Sequence, residues 1–209
     1  MRLNFVRSSV LFTVLCSSAW LSPDAHAQSS TPYVEVGAQV TALRLNFLDS
    51  FDSATSPGIG GRATYHLTDR AAIEGEFNFF LSNDHEVLKG GRKIQGLFGV
   101  TYKVASFNGI SIRAKARPGF VRFQESVVRP EAQCIAVFPP AEGCYDPSTS
   151  FAFDLGGIVE APITPRIGVR FDIGDTMVRW PDGSIGGNGE GEGKLRHNLQ
   201  VGGGVSFRF

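Results

Sequence analysis

Residues 195–209 read LRHNLQVGGGVSFRF, and the alternation within them decides the fold class. Leu195, His197, Leu199, Val201, Gly203, Val205, Phe207 and Phe209 share one parity, while Arg196, Asn198, Gln200, Gly202, Gly204, Ser206 and Arg208 share the other. Successive side chains of a strand point to opposite faces, so a period of two over this length predicts one strand about 50 Å long with a single apolar face. A helix would bring every third or fourth residue together and would not sort this segment by polarity.

The same pattern runs backward through the chain. Ile167, Val169, Phe171 and Ile173 alternate with Gly168, Arg170, Asp172 and Gly174; Phe151, Phe153, Leu155, Gly157 and Val159 alternate with Ala152, Asp154, Gly156, Ile158 and Glu160, where only Ile158 breaks the polar side. Ile110, Ile112, Ala114 and Ala116 oppose Ser111, Arg113, Lys115 and Arg117, and Ile94, Phe98, Val100, Tyr102 and Val104 oppose Gln95, Gly99, Thr101 and Lys103. Upstream, Ile73, Gly75, Phe77 and Phe79 face away from Glu74, Glu76 and Asn78, and Ile59, Ala63, Tyr65 and Leu67 from Gly60, Arg62, Thr64 and His66. Val34, Val36, Ala38 and Val40 with Glu35, Gln39 and Thr41 complete a set of eight predicted strands. Their connections alternate in length: roughly 46–57, 81–91, 124–150 and 175–194 are long, and 68–70, 105–109 and 161–165 are short. The short ones carry turn residues: Thr68-Asp69, Asn108-Gly109, and the prolines Pro162 and Pro165. An up-and-down barrel puts odd connections at one end and even ones at the other, so this asymmetry predicts long loops outside a membrane and tight turns inside.

Composition excludes several alternatives. The chain has 209 residues, 25 of them Gly and 17 Phe, with 20 basic and 20 acidic residues. Such a balance carries no electrostatic footprint for nucleic acid, and hydrophobic residues at 42% are too many for a disordered chain. Residues 1–27 have the form of a secretory signal peptide: Arg2 and Arg7, an apolar stretch Val10 to Leu15, then Ala25-His26-Ala27 before Gln28. The expected mature domain is therefore 28–209. Removing Arg2, Arg7 and Asp24 leaves it close to neutral. Cys134 and Cys144 remain, an even count that fits one disulfide in an oxidising compartment.

Alternation alone does not say which face is inside. The polar parity carries Glu74, Glu76, Asp154 and Asp172 against Arg62, Lys115, Arg117 and Arg170, at similar distances from the turns and with glycines between them. Such a face fills a narrow eight-strand lumen with ion pairs, and the glycines leave room for long side chains. A soluble barrel with an apolar interior explains neither this charge balance nor the loop asymmetry. The expected fold is thus all-β: an eight-stranded antiparallel up-and-down transmembrane barrel.

At this point the sequence resembles a known family. An exported chain with eight amphipathic strands ending in VSFRF is similar to the small outer-membrane barrels of the OmpA/OmpX type, over residues 33–209. The resemblance implies a bacterial outer-membrane location, in contact with outer-membrane lipid and lipopolysaccharide. It also implies that Val205, Phe207 and Phe209 form the C-terminal signal read by the barrel-assembly machinery. The function expected is structural, or interaction with an extracellular ligand through the external loops, with a charge-plugged lumen, no cofactor and no catalysis. The alternatives are a small porin-like channel and a lipid A-modifying enzyme. Some barrels of this size are lipid A deacylases with a serine, a histidine and an acid on the outer wall. Here His197 lies on that wall, but the positions two residues away are Leu195 and Leu199, leaving a serine from another strand or Ser184.

No other chemistry emerges. His66, His85 and His197 are not at metal-ligand spacing, Asp84-His85-Glu86 reads as a solvated loop, and His66 is expected to join the lumen hydrogen bonds. GGNGEGEGK at 186–194 has Asn188 where a phosphate loop needs its first glycine and Leu195 in place of Ser or Thr. DGSIG at 182–186 has Asp182 where a nucleophile elbow needs glycine. Ile135, Val137, Phe138 and the Pro139-Pro140 pair between the cysteines read as a locally packed external loop.

Overall fold

The computed structural model describes residues 32–48, 52–81, 91–128, 145–179 and 195–209. Its strands are β1 (Tyr33–Leu48), β2 (Asp52–His66), β3 (Ala71–Phe80), β4 (Lys93–Phe107), β5 (Ile110–Val128), β6 (Tyr145–Pro162), β7 (Ile167–Arg179), β8 (Leu195–Arg196) and β9 (Leu199–Arg208). Each pairs antiparallel with its sequence neighbour, β8 and β9 occupy one position beside β7, and β9 returns to β1. The result is a closed eight-stranded barrel in which β8 and β9 together form the eighth strand. Closure removes the two free edges that an open sheet of this kind would expose.

The three tight turns have a chemical cause. Asn108 and Gly109 both have positive φ, 48° and 82°, which is what a two-residue hairpin with the right-handed strand twist requires. The other two share a pattern that sequence reading divided into separate signals: Leu67-Thr68-Asp69-Arg70 and Ile163-Thr164-Pro165-Arg166. In each, the threonine Oγ1 accepts hydrogen bonds from the backbone two and three residues on, at 3.2 and 2.9 Å from Arg70 and Ala71 and at 3.3 and 2.9 Å from Arg166 and Ile167. A threonine hydroxyl thus caps both turns: Thr68 belongs to the turn signal expected from sequence, whereas Thr164 stands where only Pro162 and Pro165 were expected to act.

The strands overshoot the sequence expectation at the opposite end. β1 and β2 leave only 49–51 between them, where a connection of 46–57 was expected; β5 continues to Val128, β6 begins at Tyr145 and β7 runs to Arg179. The cause is an inversion of polarity. Along β5, Ile110 through Phe120 give an apolar outer face; beyond it Arg122 points out while Val121 and Phe123 are fully buried inside. β1 does the same at Leu43, Arg44 and Leu45, and β7 at Val178 and Arg179. The outer band on β5 spans ten residue steps, about 34 Å of strand and about 26 Å of height at a 40° tilt, which matches the hydrocarbon layer of an outer membrane. Above that band the barrel stands in water, so its outside turns polar and its inside apolar.

Candidate functional site

The register brings the polar parity of all eight strand positions together inside the barrel. Arg117 on β5 stands opposite Asp154 on β6, Thr64 on β2 opposite Glu74 on β3, and Arg170 on β7 opposite Glu160 on β6. Arg62, Glu74, Glu76, Lys115, Arg117, Asp154, Arg170 and Asp172 are all buried. The structure brings these eight into one connected set.

Two arginines organise it. Arg117 donates through Nε and Nη2 to Asp154 Oδ2 at 2.9 and 2.6 Å, and through Nη1 to Glu74 Oε1 and Glu76 Oε2 at 2.6 Å each. Arg170 donates through Nη1 and Nη2 to both oxygens of Glu74, and grips Asp172 through Nε at 2.7 Å and Nη2 at 2.9 Å. Glu74 therefore ties β3 to β5 and to β7 across the lumen, a reach possible only because eight strands enclose so narrow a space. Lys115 Nζ lies 3.1 Å from Asp154 and 3.4 Å from Asp172. Close packing depends on missing side chains: a Cβ at Gly174 would sit 2.7 Å from Asp154 Oδ1 and 3.1 Å from Lys115 Cε.

Arg62 is held less well. Its Nη1 donates to Gln39 Oε1 at 2.8 Å and stands 3.7 Å from Asp172, while Nε and Nη2 find no acceptor among the described residues. From Gln39 a chain of amides crosses the lumen: Gln39 to Asn78 Oδ1 at 2.9 Å, Asn78 to Gln95 Oε1 at 2.7 Å, and Gln95 to Gln200 Oε1 at 2.9 Å. Asn78 also donates to Glu76 at 2.7 Å, which joins this layer to the charges.

Above the amides apolar side chains fill much of the bore, with Lys93 donating to Ser56 Oγ at 2.9 Å beside them. Leu43, Leu45, Phe80, Leu97, Val121, Phe123, Ala152 and Val178 form one buried apolar cluster at the end of the barrel away from the short turns. Sequence reading missed this layer. The signal for it was the phase of Leu97, which shares the inward parity of Gln95 and Thr101, and the Leu43/Leu45 pair in a segment read as leading into a loop. At the turn end a cavity of about 280 Å³ remains, lined by Glu35, Glu160, Arg113 and Arg208 among others. His66 borders this region. It stacks on Tyr33, with ring centroids 4.1 Å apart and planes 12° from parallel, and among the described residues this stack stands in place of the hydrogen bonds expected for it.

On the outer wall, the strand expected to run unbroken from Leu195 to Phe209 is interrupted at His197 and Asn198. Asp175 on β7 bridges the break, accepting the Asn198 N–H at 3.1 Å on Oδ1 and approaching His197 Nδ1 at 2.5 Å with Oδ2. His197 thus has the acid of an acid–histidine pair. Its flanking outward residues are Leu195 and Leu199, and Ser184 lies outside the described residues, as do Asp84, His85, Glu86, Cys134 and Cys144. Val205, Phe207 and Phe209 all face outward, with the two phenylalanine rings edge to face at 4.9 Å. Among the described residues no cluster of metal-ligating side chains forms.

Closed barrel, apolar outer belt and polar interior together define a membrane-spanning β-barrel, and the family of the outer membrane protein beta-barrel domain matches residues 10–209. The chain belongs to that family. Its place is therefore the bacterial outer membrane. Solved outer-membrane barrels share the fold at low identity. Neisserial surface protein A is 13% identical with a TM-score of 0.58, over 86% of this chain and 98% of that one. The N-terminal β-barrel domain of Pseudomonas aeruginosa OprF is 12% identical with a TM-score of 0.51, over 84% and 97%. Outer membrane protein H from P. aeruginosa is 15% identical with a TM-score of 0.50, over 85% and 99%. No curated protein is similar enough in sequence to match the chain.

Proposed function

We propose that this outer membrane β-barrel is a closed, non-catalytic barrel that acts as a structural element and as a scaffold for its external connections, with a lumen plugged by charge. The observation that carries this reading is the stacking of three layers across one narrow bore: the Arg117 and Arg170 ion pairs, the Gln39–Asn78–Gln95–Gln200 amides, and the apolar cluster around Leu43 and Phe123. A solute passing through would have to break charge-assisted hydrogen bonds and then displace a packed apolar cluster. The channel reading has one feature in its favour, the polar cavity of about 280 Å³ at the turn end, but Glu160 in its lining stands 3.5 Å from Arg170 of the charged layer. The enzymatic reading has the His197–Asp175 pair in its favour and lacks a hydroxyl two residues from His197.

Conductance of the purified barrel in planar bilayers tests the proposal. The expected trace is silent at moderate voltage. A steady conductance that a neutral sugar can permeate would overturn the plug. For catalysis, lipid A from cells with and without His197→Ala should be identical by mass spectrometry.

A further inference from the structure

The cavity at the turn end holds two cations that the lumen network does not account for. Lys103 on β4 and Arg113 on β5 stand directly opposite each other in the ladder, and both line the cavity of about 280 Å³. Opposed ladder positions bring Cβ atoms to about 5 Å, and like charges placed there are destabilising. Arg113 is also only 2% exposed. Among the described residues neither Lys103 nor Arg113 makes an ion pair. A buried cation without a counter-charge is costly, so two cations facing one cavity call for an anion between them.

The guanidinium of Arg113 is fixed from one side. Nε and Nη2 donate to Thr101 Oγ1 at 3.2 and 3.0 Å, and Nη2 donates to the Arg70 carbonyl at 3.3 Å. Both acceptors are neutral, so they orient the group and leave its charge uncompensated. Nη1 has no partner among the described residues. Ser111, two residues before Arg113 on the same face, adds a hydroxyl to the lining. The carboxylates of the cavity are directed elsewhere. Glu35 stands 3.4 Å from Arg208 and Glu160 stands 3.5 Å from Arg170, while Asp69 is exposed in its turn. With Arg166 and Arg208 also in the lining, four cations face these three carboxylates, which leaves the cavity net positive. Its volume falls just below the roughly 300–1,000 Å³ of sites for drug-sized ligands, so the anion it takes is small.

We propose that Lys103, Arg113 and Ser111 form a binding site inside the turn end of the barrel for a small doubly charged oxyanion of the phosphate type, which enters from the turn side. The free Nη1 of Arg113 and the Lys103 ammonium supply charge-assisted donors, and the Ser111 hydroxyl supplies a neutral one. A dianion held between the two cations replaces a repulsion across the ladder by two attractions. Chloride, with a single charge and no oxygen to accept in several directions, offsets only part of that repulsion. The site does not depend on whether the lumen beyond it is closed.

The test uses the full barrel refolded in a non-ionic glucoside detergent in phosphate-free buffer of low ionic strength. Inorganic phosphate is titrated by isothermal calorimetry, with chloride at matched ionic strength as the reference, and phosphate should bind the more tightly. Lys103→Gln should weaken phosphate binding roughly tenfold, the worth of one hydrogen bond to a charged group. The same variant should raise the urea midpoint of the phosphate-free barrel, because it removes the repulsion across the ladder; a lysine that served only the fold would lower it on removal. Lys103→Arg, which keeps the charge, should retain most of the binding. Arg70→Gln removes an exposed cation of the same end from outside the cavity and keeps the carbonyl that Arg113 uses, so it should bind as the wild type does. Each variant is first checked for the heat-modifiable gel shift of a folded barrel. Glycerol 3-phosphate separates two sources of the group: binding equal to that of phosphate assigns the site to the end of a small phosphorylated molecule, and weaker binding assigns it to the free ion. A wild-type barrel that binds phosphate no better than chloride, or a Lys103→Gln variant with unchanged affinity or a lowered phosphate-free midpoint, would overturn the proposal.

Discussion

Replacing Arg117 by methionine removes a cation from the centre of the barrel at nearly constant volume, and the structure says which carboxylate suffers. The set contains four cations, Arg62, Lys115, Arg117 and Arg170, against four carboxylates, Glu74, Glu76, Asp154 and Asp172. Without Arg117, Glu74 keeps both bonds from Arg170, and Asp154 keeps Lys115 at 3.1 Å. Glu76 keeps only the amide of Asn78. One buried carboxylate is thereby stripped of its cation, a situation that costs on the order of 3 to 5 kcal/mol. Arg117→Met with Glu76→Gln restores neutrality and should recover at least half of that loss, because the penalty comes from the orphaned charge more than from the missing attraction. Arg62→Met is the internal control: every carboxylate near it retains another cation and two of its own donors are unmet, so it should cost less than half as much. Urea unfolding in lipid vesicles, followed by tryptophan fluorescence and gel mobility, gives the midpoints. If Arg117→Met shifts the midpoint no more than Arg62→Met does, or if adding Glu76→Gln makes matters worse, the charge accounting is wrong.

Three further outcomes follow from other parts of the molecule. Deleting Phe209 removes the ring that packs edge to face with Phe207 and should slow assembly, so less heat-modifiable barrel should reach the cell surface in a pulse-chase experiment. Cys134 and Cys144 are expected to be joined; alkylation of the unreduced exported protein should find no free thiol, and closing a loop of roughly 11 residues is worth about 2.5 to 3 kcal/mol in the chain-entropy picture. Gly156→Val should abolish refolding from urea, since a Cβ there would meet the Ile173 carbonyl at 2.1 Å and the Gly174 Cα at 2.6 Å, which are backbone and have nowhere to go.

How much was legible depended on where in the membrane a residue stands. Within the apolar band, parity and polarity agree, so Glu74, Arg117, Asp154 and Arg170 could be assigned to one face from sequence alone. The bonds among them could not, because Glu74 meets Arg170 across the bore and no ladder position announces that contact. Above the band, parity survives but polarity reverses, and a reading by polarity ends the strands short of residues that continue them: Leu43, Arg44, Leu45 on β1 and Val121, Arg122, Phe123 on β5. The same reversal hid the apolar layer inside and the arginines outside. The break at His197 was invisible for a different reason, since it rests on a carboxylate from β7 that is remote in sequence.

That reversal also fixes how deep the molecule floats. On β1, β5 and β7 the outer face changes character within two residues, between Ala42 and Arg44, Phe120 and Arg122, and Met177 and Arg179. A vertical slip of one such step, about 5 Å for a strand tilted near 40°, would draw three arginines into hydrocarbon on one side or lift a row of aromatic rings into water on the other. The barrel therefore has little freedom to bob. A membrane of different thickness has to be met by leaning or by puckering the surrounding leaflet, each at a fraction of a kcal/mol per ångström, so the protein imposes its own waterline on the lipids around it.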